Sequence, residues 1–207
     1  KLGFIGAGKV GTAFGAYLFN HKFNILGYYS IDSKDSEYAA RLTNSKVFLN
    51  LKELTDKSDI LFITTPDNEI AKICSFLYSE NLIKENTVWV HMSGAISSEV
   101  LRPAKEYGCS IYSLHPLQAF ANINKAIEDL KNAVFSIESD EASFDILESI
   151  LKVTGNKYFT LTSSQKEAYH ASACIVSNYL VTIINYGLEL FQSIGIDSPL
   201  VMKHYIL

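Results

Sequence analysis

The sequence predicts an α/β protein: a Rossmann-type, doubly wound, mostly parallel sheet followed by an all-helical C-terminal region. Three observations carry this. Short apolar runs alternate with amphipathic stretches through roughly the first 160 residues, the rhythm of βαβ units. A glycine-rich turn lies directly between the first apolar run and the first amphipathic stretch. Beyond residue 162 the alternation gives way to a stretch of about thirty residues without proline and with helical periodicity.

Strands are expected over 2–5, 25–29, 60–64, 87–90, 110–114, 133–137 and 157–161. Runs such as "DILFITT" are apolar at nearly every position, as a strand must be when helices cover both faces of its sheet. Helices fit 9–20, 36–42, 68–79, 97–107 and 141–153, with Pro66 stopping the third strand and Asp67 placed to cap the helix after it. One long helix is expected over 163–194, opened by Ser163 and Ser164 with Glu167 completing a capping box, and closed by Gly195, Asp197 and Pro199. "SPLVMKHYIL" then begins another helix. The division expected is a dinucleotide-binding domain over 1–162 and the start of a helical domain over 163–207. Because one long helix and a stub cannot bury their own apolar faces, the helical part reads as incomplete, or as completed by a second subunit in a homodimer.

Composition narrows the partners. The 207 residues are 48% hydrophobic and 19% charged with a net charge of −4, and no run of Lys and Arg tracks a phosphate backbone, so nucleic acid is not an expected partner. Cys74, Cys109 and Cys174 stand far apart with no CxxC pair, which suits a reducing cytoplasm rather than a disulfide framework or structural zinc. No signal-peptide pattern opens the sequence. Ser177, Asn178 and Asn185 interrupt the longest apolar run, so no membrane span is expected.

The turn in "LGFIGAGKVGTAFG" has GxGxxG spacing. Gly6 permits the tight turn, Gly8 lets backbone approach a pyrophosphate, and Gly11 lets helix and strand pack closely. Ala7, Lys9 and Val10 complete the loop, and the helix N-terminus offers its N–H groups to the phosphates. NAD enzymes of this kind place Asp or Glu at the end of the second strand to accept the ribose hydroxyls. Here Ser30 stands there, with Ser33 and Lys34 close behind, which suits the 2′-phosphate of NADP; Asp32 would serve NAD only if the strand ran two residues further. Thr65 and Pro66, after the strand over 60–64, are expected to meet the cofactor through their backbone.

Two strand ends carry histidine: His91 with Ser93 in "VWVHMSGA", where Gly94 lets the chain turn, and His115 in "SLHPLQAF", which Pro116 restricts to extended geometry. In an open α/β sheet, ligands bind at the carboxyl ends of the strands. On the long helix, Lys166, His170, Cys174 and then Ser177 or Asn178 recur at spacings of one turn and share a face too polar for simple core. Imidazole titrates near neutrality, with an unperturbed pKa of about 6.5, so it can exchange the proton that accompanies a hydride. The proton donor is expected among His170, His115 and Lys166, with Ser93 and Asn178 orienting the substrate. A divalent metal on three histidines is the alternative, but none belongs to an HxH or HxxxH motif and no metal is expected.

Taken together, "GFIGAGKVGTAFG", "HMSGA", "SLHPLQAF" and "EAYHASACIVSNYL" resemble the bacterial Rossmann-like NADP oxidoreductases with a C-terminal domain of unknown function. These belong to the group similar to 6-phosphogluconate dehydrogenase, β-hydroxyacid dehydrogenases and pyrroline-5-carboxylate reductase. The resemblance implies nicotinamide-cofactor binding through Gly6, Gly8 and Gly11, and an all-helical domain that dimerises. In the β-hydroxyacid dehydrogenases the long helix carries a catalytic lysine with an asparagine four residues on; Lys166 matches the lysine, but His170 stands in place of the asparagine. The expected function is transfer of hydride between NADP and a small carbonyl, imine or hydroxy acid. An NADP-binding regulatory protein without turnover is the alternative.

Overall fold

Strands that are apolar at every position must be covered on both faces, and the computed structural model, which describes residues 1–141, 143–197 and 201, shows how this is done. In chain order the elements are β1 (Leu2–Ile5), α1 (Lys9–Asn20), β2 (Ile25–Tyr29), α2 (Ser33–Leu42), β3 (Lys46–Val47), α3 (Leu51–Lys57), β4 (Ile60–Ile63) and α4 (Asp67–Ser79). There follow β5 (Val88–His91), a 3₁₀ helix (Ser98–Tyr107), β6 (Ser110–Pro116), α5 (Ile123–Asp129), β7 (Val134–Glu138), α6 (Asp145–Thr154) and β8 (Lys157–Leu161). Then come α7 (Lys166–Cys174) and α8 (Leu180–Ser193), joined by a π turn (Ile175–Tyr179). The strands form one sheet in the order β3-β2-β1-β4-β5-β6-β7-β8, parallel throughout except between β6 and β7. Its first six strands follow the doubly wound order.

Successive side chains of a strand point to opposite faces. Phe4, Phe62, Val90 and Tyr112 accordingly pack on one face with Phe14 of α1 and Leu147 of α6. Ile5, Ile63, Trp89 and Ile111 pack on the other with Leu54 of α3, Ile70 of α4 and Leu101 of the 3₁₀ helix. Each such buried side chain contributes roughly 1.5–3 kcal/mol, so the two half-cores fix the sheet between its helical layers.

The structure departs from the sequence reading at definable points. Elements β3, α3 and α5, of two, seven and seven residues, are shorter than the window over which periodicity can be read. Their caps were the available signal: Asn50 and Asn122 accept from the N–H groups of Lys52 and Lys125 at 2.8 and 3.1 Å. α2 begins three residues early because Asp32 caps it, accepting from the Lys34 N–H at 2.9 Å. With β2 ending at Tyr29, Asp32 does not prolong the strand. Asp67 is not a cap; it is the first residue of α4, and Pro66 holds the cap position without a side-chain bond. The expected α-helix over 97–107 is a 3₁₀ helix with Pro103 inside it, a residue that cannot donate and crowds the carbonyl four residues back. α6 starts at Asp145, since Glu141 is engaged in the preceding turn, accepting from the Ile111 N–H and pairing with Lys105.

The long helix is continuous over Ser163–Ser193, but its capping box joins Thr162 and Gln165 rather than Ser164 and Glu167, and the π turn interrupts its spacing. Its polar residues do not disqualify it as a span. The most apolar 18 residues have a mean hydropathy of 1.3 with none of that stretch buried, so by length and composition it is able to cross a membrane. Ser172, Ser177 and Thr182 satisfy their hydroxyls on carbonyls four residues back, which lowers the cost of placing them in apolar surroundings. The helix expected in "SPLVMKHYIL" lies outside the described residues, apart from Val201. By its contacts the chain divides into two units, Lys1–Lys166 and Glu167–Leu207.

Candidate active site

The glycine turn between β1 and α1 is built as its spacing requires. Gly6 has φ +100°, and a Cβ there would stand 2.9 Å from the Thr64–Thr65 backbone. A Cβ on Gly11 would meet Thr64 Oγ1 at 2.3 Å and the Gly6 carbonyl at 2.4 Å, so the helix can approach the strand only without one. Gly8 differs: nothing among the described residues lies within 4 Å of its Cβ position, and it caps α1 with no side chain of its own. The loop is tied down from beneath, Thr64 Oγ1 donating to the Gly6 carbonyl at 2.6 Å and Thr12 Oγ1 to the Ala7 carbonyl at 2.7 Å. Gly6 and Ala7 are buried, whereas Gly8 and Lys9 are exposed and Val10 is half-buried. That open backbone at a helix N-terminus fits a pyrophosphate. Beside it, the hydroxyl of Thr65 is buried and has no partner among the described residues, while Pro66 is exposed. At the end of β2, Ser30 is half-buried and Ser33 and Lys34 are exposed at the first turn of α2.

A second polar group lies on the sheet itself. His91, Ser113 and Glu138 are register partners across β5, β6 and β7, so their side chains leave the same face. Each is fully buried, in a row otherwise continued by Ile63 and Leu161. Two residues along, His115 pairs with Ser136 on that same face. Lys166 closes over the row: 1% exposed, it donates from Nζ to Ser113 Oγ at 2.6 Å and stands 4.0 Å from Glu138 Oε2. The Ser113 hydroxyl in turn donates to the Ser93 carbonyl at 3.0 Å. Glu138 accepts from the Ser98 N–H at 2.8 Å, the Ser98 hydroxyl at 2.9 Å and the Ser97 hydroxyl at 3.2 Å, all at the N-terminus of the 3₁₀ helix.

These surroundings set charge states. Burial, and then the Lys166 charge, push the His91 imidazole down to about 3, with the Ser97 backbone opposing in part and His115 adding to the fall. His91 is therefore neutral near pH 7; its Nδ1 accepts from the Ser93 N–H at 3.2 Å, which puts the proton on Nε2. Among the described residues that Nε2 has no partner at hydrogen-bond distance, and neither has Ser136 Oγ on the same face. Burial also draws the Lys166 ammonium down to about 8, against the charges of Glu138 and Asp67, which favour it. Gly94 serves space rather than turn geometry. Its backbone is not left-handed, and a Cβ would meet the His115 ring at 2.8 Å.

Of the expected site residues, the structure brings Lys166, His91, Ser93 and His115 to one region of the first unit. The other helix residues lie in the second unit. There His170 Nε2 is 3.5 Å from Cys174 Sγ, its Nδ1 is buried with no partner among the described residues, and Ser177 and Asn178 are exposed in the wider π turn, off the spacing of α7. Ser113, Glu138, Ser98 and Thr64 escaped the sequence reading. The signal for the first two was polar residues alternating with apolar ones, in "SIYSLHP" and "VFSIE", within strands that must be buried on both faces. Among the described residues no cluster of three His, Cys, Asp or Glu side chains forms a metal site.

Comparison with known proteins agrees with this architecture. A glycerol-3-phosphate dehydrogenase [NAD(P)+] of Clostridium botulinum is 30% identical over 46% of this chain, but that match spans only 32% of the enzyme, about a third of its length. A solved structure from Thermotoga maritima is 26% identical, covering 100% of this chain and 75% of its own, with a TM-score of 0.75. Lower identities support the fold alone. A Myxococcus stipitatus imine reductase solved with NAD+ has 14% identity and a TM-score of 0.75, and an Aspergillus terreus reductive aminase solved with NADPH has 12% and 0.79; each covers 98% of this chain and 70% of its own. Residues 133–206 match the family described as a domain of unknown function, DUF2520. The match over residues 1–116, where the glycine loop and the ends of β4 to β6 lie, places the chain in the Rossmann-like domain family.

Proposed function

We propose that the chain forms the cofactor-binding and proton-donating part of an NADP-dependent oxidoreductase acting on a small carbonyl, imine or hydroxy acid. The observation that carries this is Lys166: a buried ammonium drawn to about 8, held over the carboxyl ends of β5 and β6 in a chain that also has an open glycine loop. An acid whose pKa lies near the working pH transfers protons efficiently. Lys166 is the first candidate donor, His115 and His170 the others; His91, neutral near pH 7, hydrogen-bonds without supplying charge. Ser93 and Asn178 are assigned to substrate orientation. A bound nicotinamide cofactor would supply the hydride. Gly6, Ala7, Gly8, Lys9, Val10 and Gly11 would hold its pyrophosphate, Thr65 and Pro66 would flank it, and Ser30, Ser33 and Lys34 would take the 2′-phosphate. The imine reductase solved with NAD+ and the reductive aminase solved with NADPH support nicotinamide chemistry of this class, and the dehydrogenase is named for NAD(P)+.

The exposed apolar stripe Val176, Leu180, Ile183, Leu190 and Ile194 is assigned to pairing with a second copy of the chain. The thiols of Cys74, Cys109 and Cys174 are all free, which accords with a reducing cytoplasm.

The test is a fluorescence titration with NADPH and with NADH. Saturable NADPH binding is expected, and Ser30→Asp should weaken it by about tenfold or more, or about 1.4 kcal/mol, with little change for NADH. No saturable NADPH binding by the wild-type chain would overturn the reading, and equal effects on both cofactors would remove Ser30 from the site.

A further inference from the structure

We propose that Glu138 is the positioning residue of this site, holding the Lys166 side chain as a charged donor against Ser113 on the buried face of β5 to β7. This rests on the reading of Lys166 as the proton donor and assigns the group through which the lysine acts.

A buried carboxylate needs donors, and Glu138 has three, from Ser97 and Ser98. Its position is thus set by the 3₁₀ helix before the lysine is considered, and the helix N-terminus favours its negative charge. The register then puts Ser113 beside it on the next strand and His91 beyond. An ammonium entering this face meets a fixed anion and a hydroxyl acceptor together, and Lys166 is found on both, 2.6 Å from Ser113 Oγ and 4.0 Å from Glu138 Oε2. The groups acting on its charge come from three elements: Glu138 of β7 and Asp67 of α4 favour the ammonium, while His91 of β5 is coupled to it and stays neutral. Without Glu138 the remaining influence is dominated by burial, which favours the neutral amine, and a neutral amine gives no proton to a substrate.

The experiment follows the Lys166 side-chain carbon shift by NMR in the full chain labelled with ¹³C-lysine, the signal being assigned by its absence in Lys166→Met. The wild-type midpoint is expected near pH 8. Glu138→Gln should lower it by about one pH unit, a tenfold loss of proton affinity, Glu138→Asp should recover most of the loss, and Asp67→Asn should produce a smaller fall. A midpoint unmoved in Glu138→Gln overturns the proposal. If that variant unfolds, the pair is read from stability instead: a buried charge left without its partner is strongly destabilising, so Lys166→Met/Glu138→Gln should melt above Glu138→Gln alone, and a double variant that melts no higher also overturns the proposal. The NADP reading fails separately, by absence of NADPH binding in the wild type.

Discussion

Three glycines in one loop separate two kinds of requirement. Gly11 is required by packing, because its Cβ would stand 2.3 Å from Thr64 Oγ1 and 2.4 Å from the Gly6 carbonyl. Gly11→Ala should therefore cost about 1–3 kcal/mol, seen as a lower urea midpoint. Gly8 faces open space, so Gly8→Ala should leave that midpoint in place while weakening NADPH binding at least about tenfold. Equal effects of the two substitutions on stability would show that Gly8 serves the fold instead. His91 supplies a pH signature. Folded, it stays neutral down to about pH 3, whereas an unfolded histidine protonates near 6.5. Between those values the unfolded chain binds the extra proton, so this contribution to stability is complete above pH 6.5 and falls as pH is lowered, by about 1.4 kcal/mol per unit once well below it. Urea titrations at pH 7 and pH 5 should show a smaller acid loss in His91→Gln than in the wild type.

At the scale of elements, Asn156 joins pieces distant in sequence. Its Nδ2 donates to the Leu130 and Ala133 carbonyls at 2.7 and 3.1 Å, and its Oδ1 accepts from the Tyr17 hydroxyl at 2.8 Å, so the end of α6 is tied to α1 and to the approach to β7. Asn156→Ala leaves buried groups unsatisfied and should cost about 2–4 kcal/mol, at roughly 1–3 for each unmet group; a loss under about 0.5 kcal/mol by urea titration would show that water substitutes freely. Apart from β3, the sheet strands were legible in the sequence as short apolar runs and α1 as an amphipathic stretch, and β1, β2 and β8 have the expected ends. The short elements were not, since their signal lies in one capping side chain. Nor was Glu138, because its role arises from register across strands of different segments, which composition does not contain. Lys166 and the histidines were legible as residue types, but only the structure says which share a face.

For the whole molecule, the open question of surface is the long helix. Val176, Leu180, Ile183, Leu190 and Ile194 recur every three, four or seven residues and are between 52% and 71% exposed. Such a stripe needs an apolar neighbour. Sedimentation of the chain should give a dimer at micromolar concentration, and Ile183→Glu/Leu190→Glu should shift it to monomer; a wild-type chain that stays monomeric, or that partitions into lipid vesicles, would count against self-pairing.

Because β7 runs against β6 and β8 follows β7, Leu161 ends level with Glu138, Ser113 and His91, the level at which β1, β4 and β5 also finish, while β6 runs on to Pro116. Lys166 comes only five residues later. The lysine's placement is in this sense a matter of measured chain: one residue inserted in β8 or in the turn at Thr162 would slide the ammonium along the sheet, however well its helix still formed.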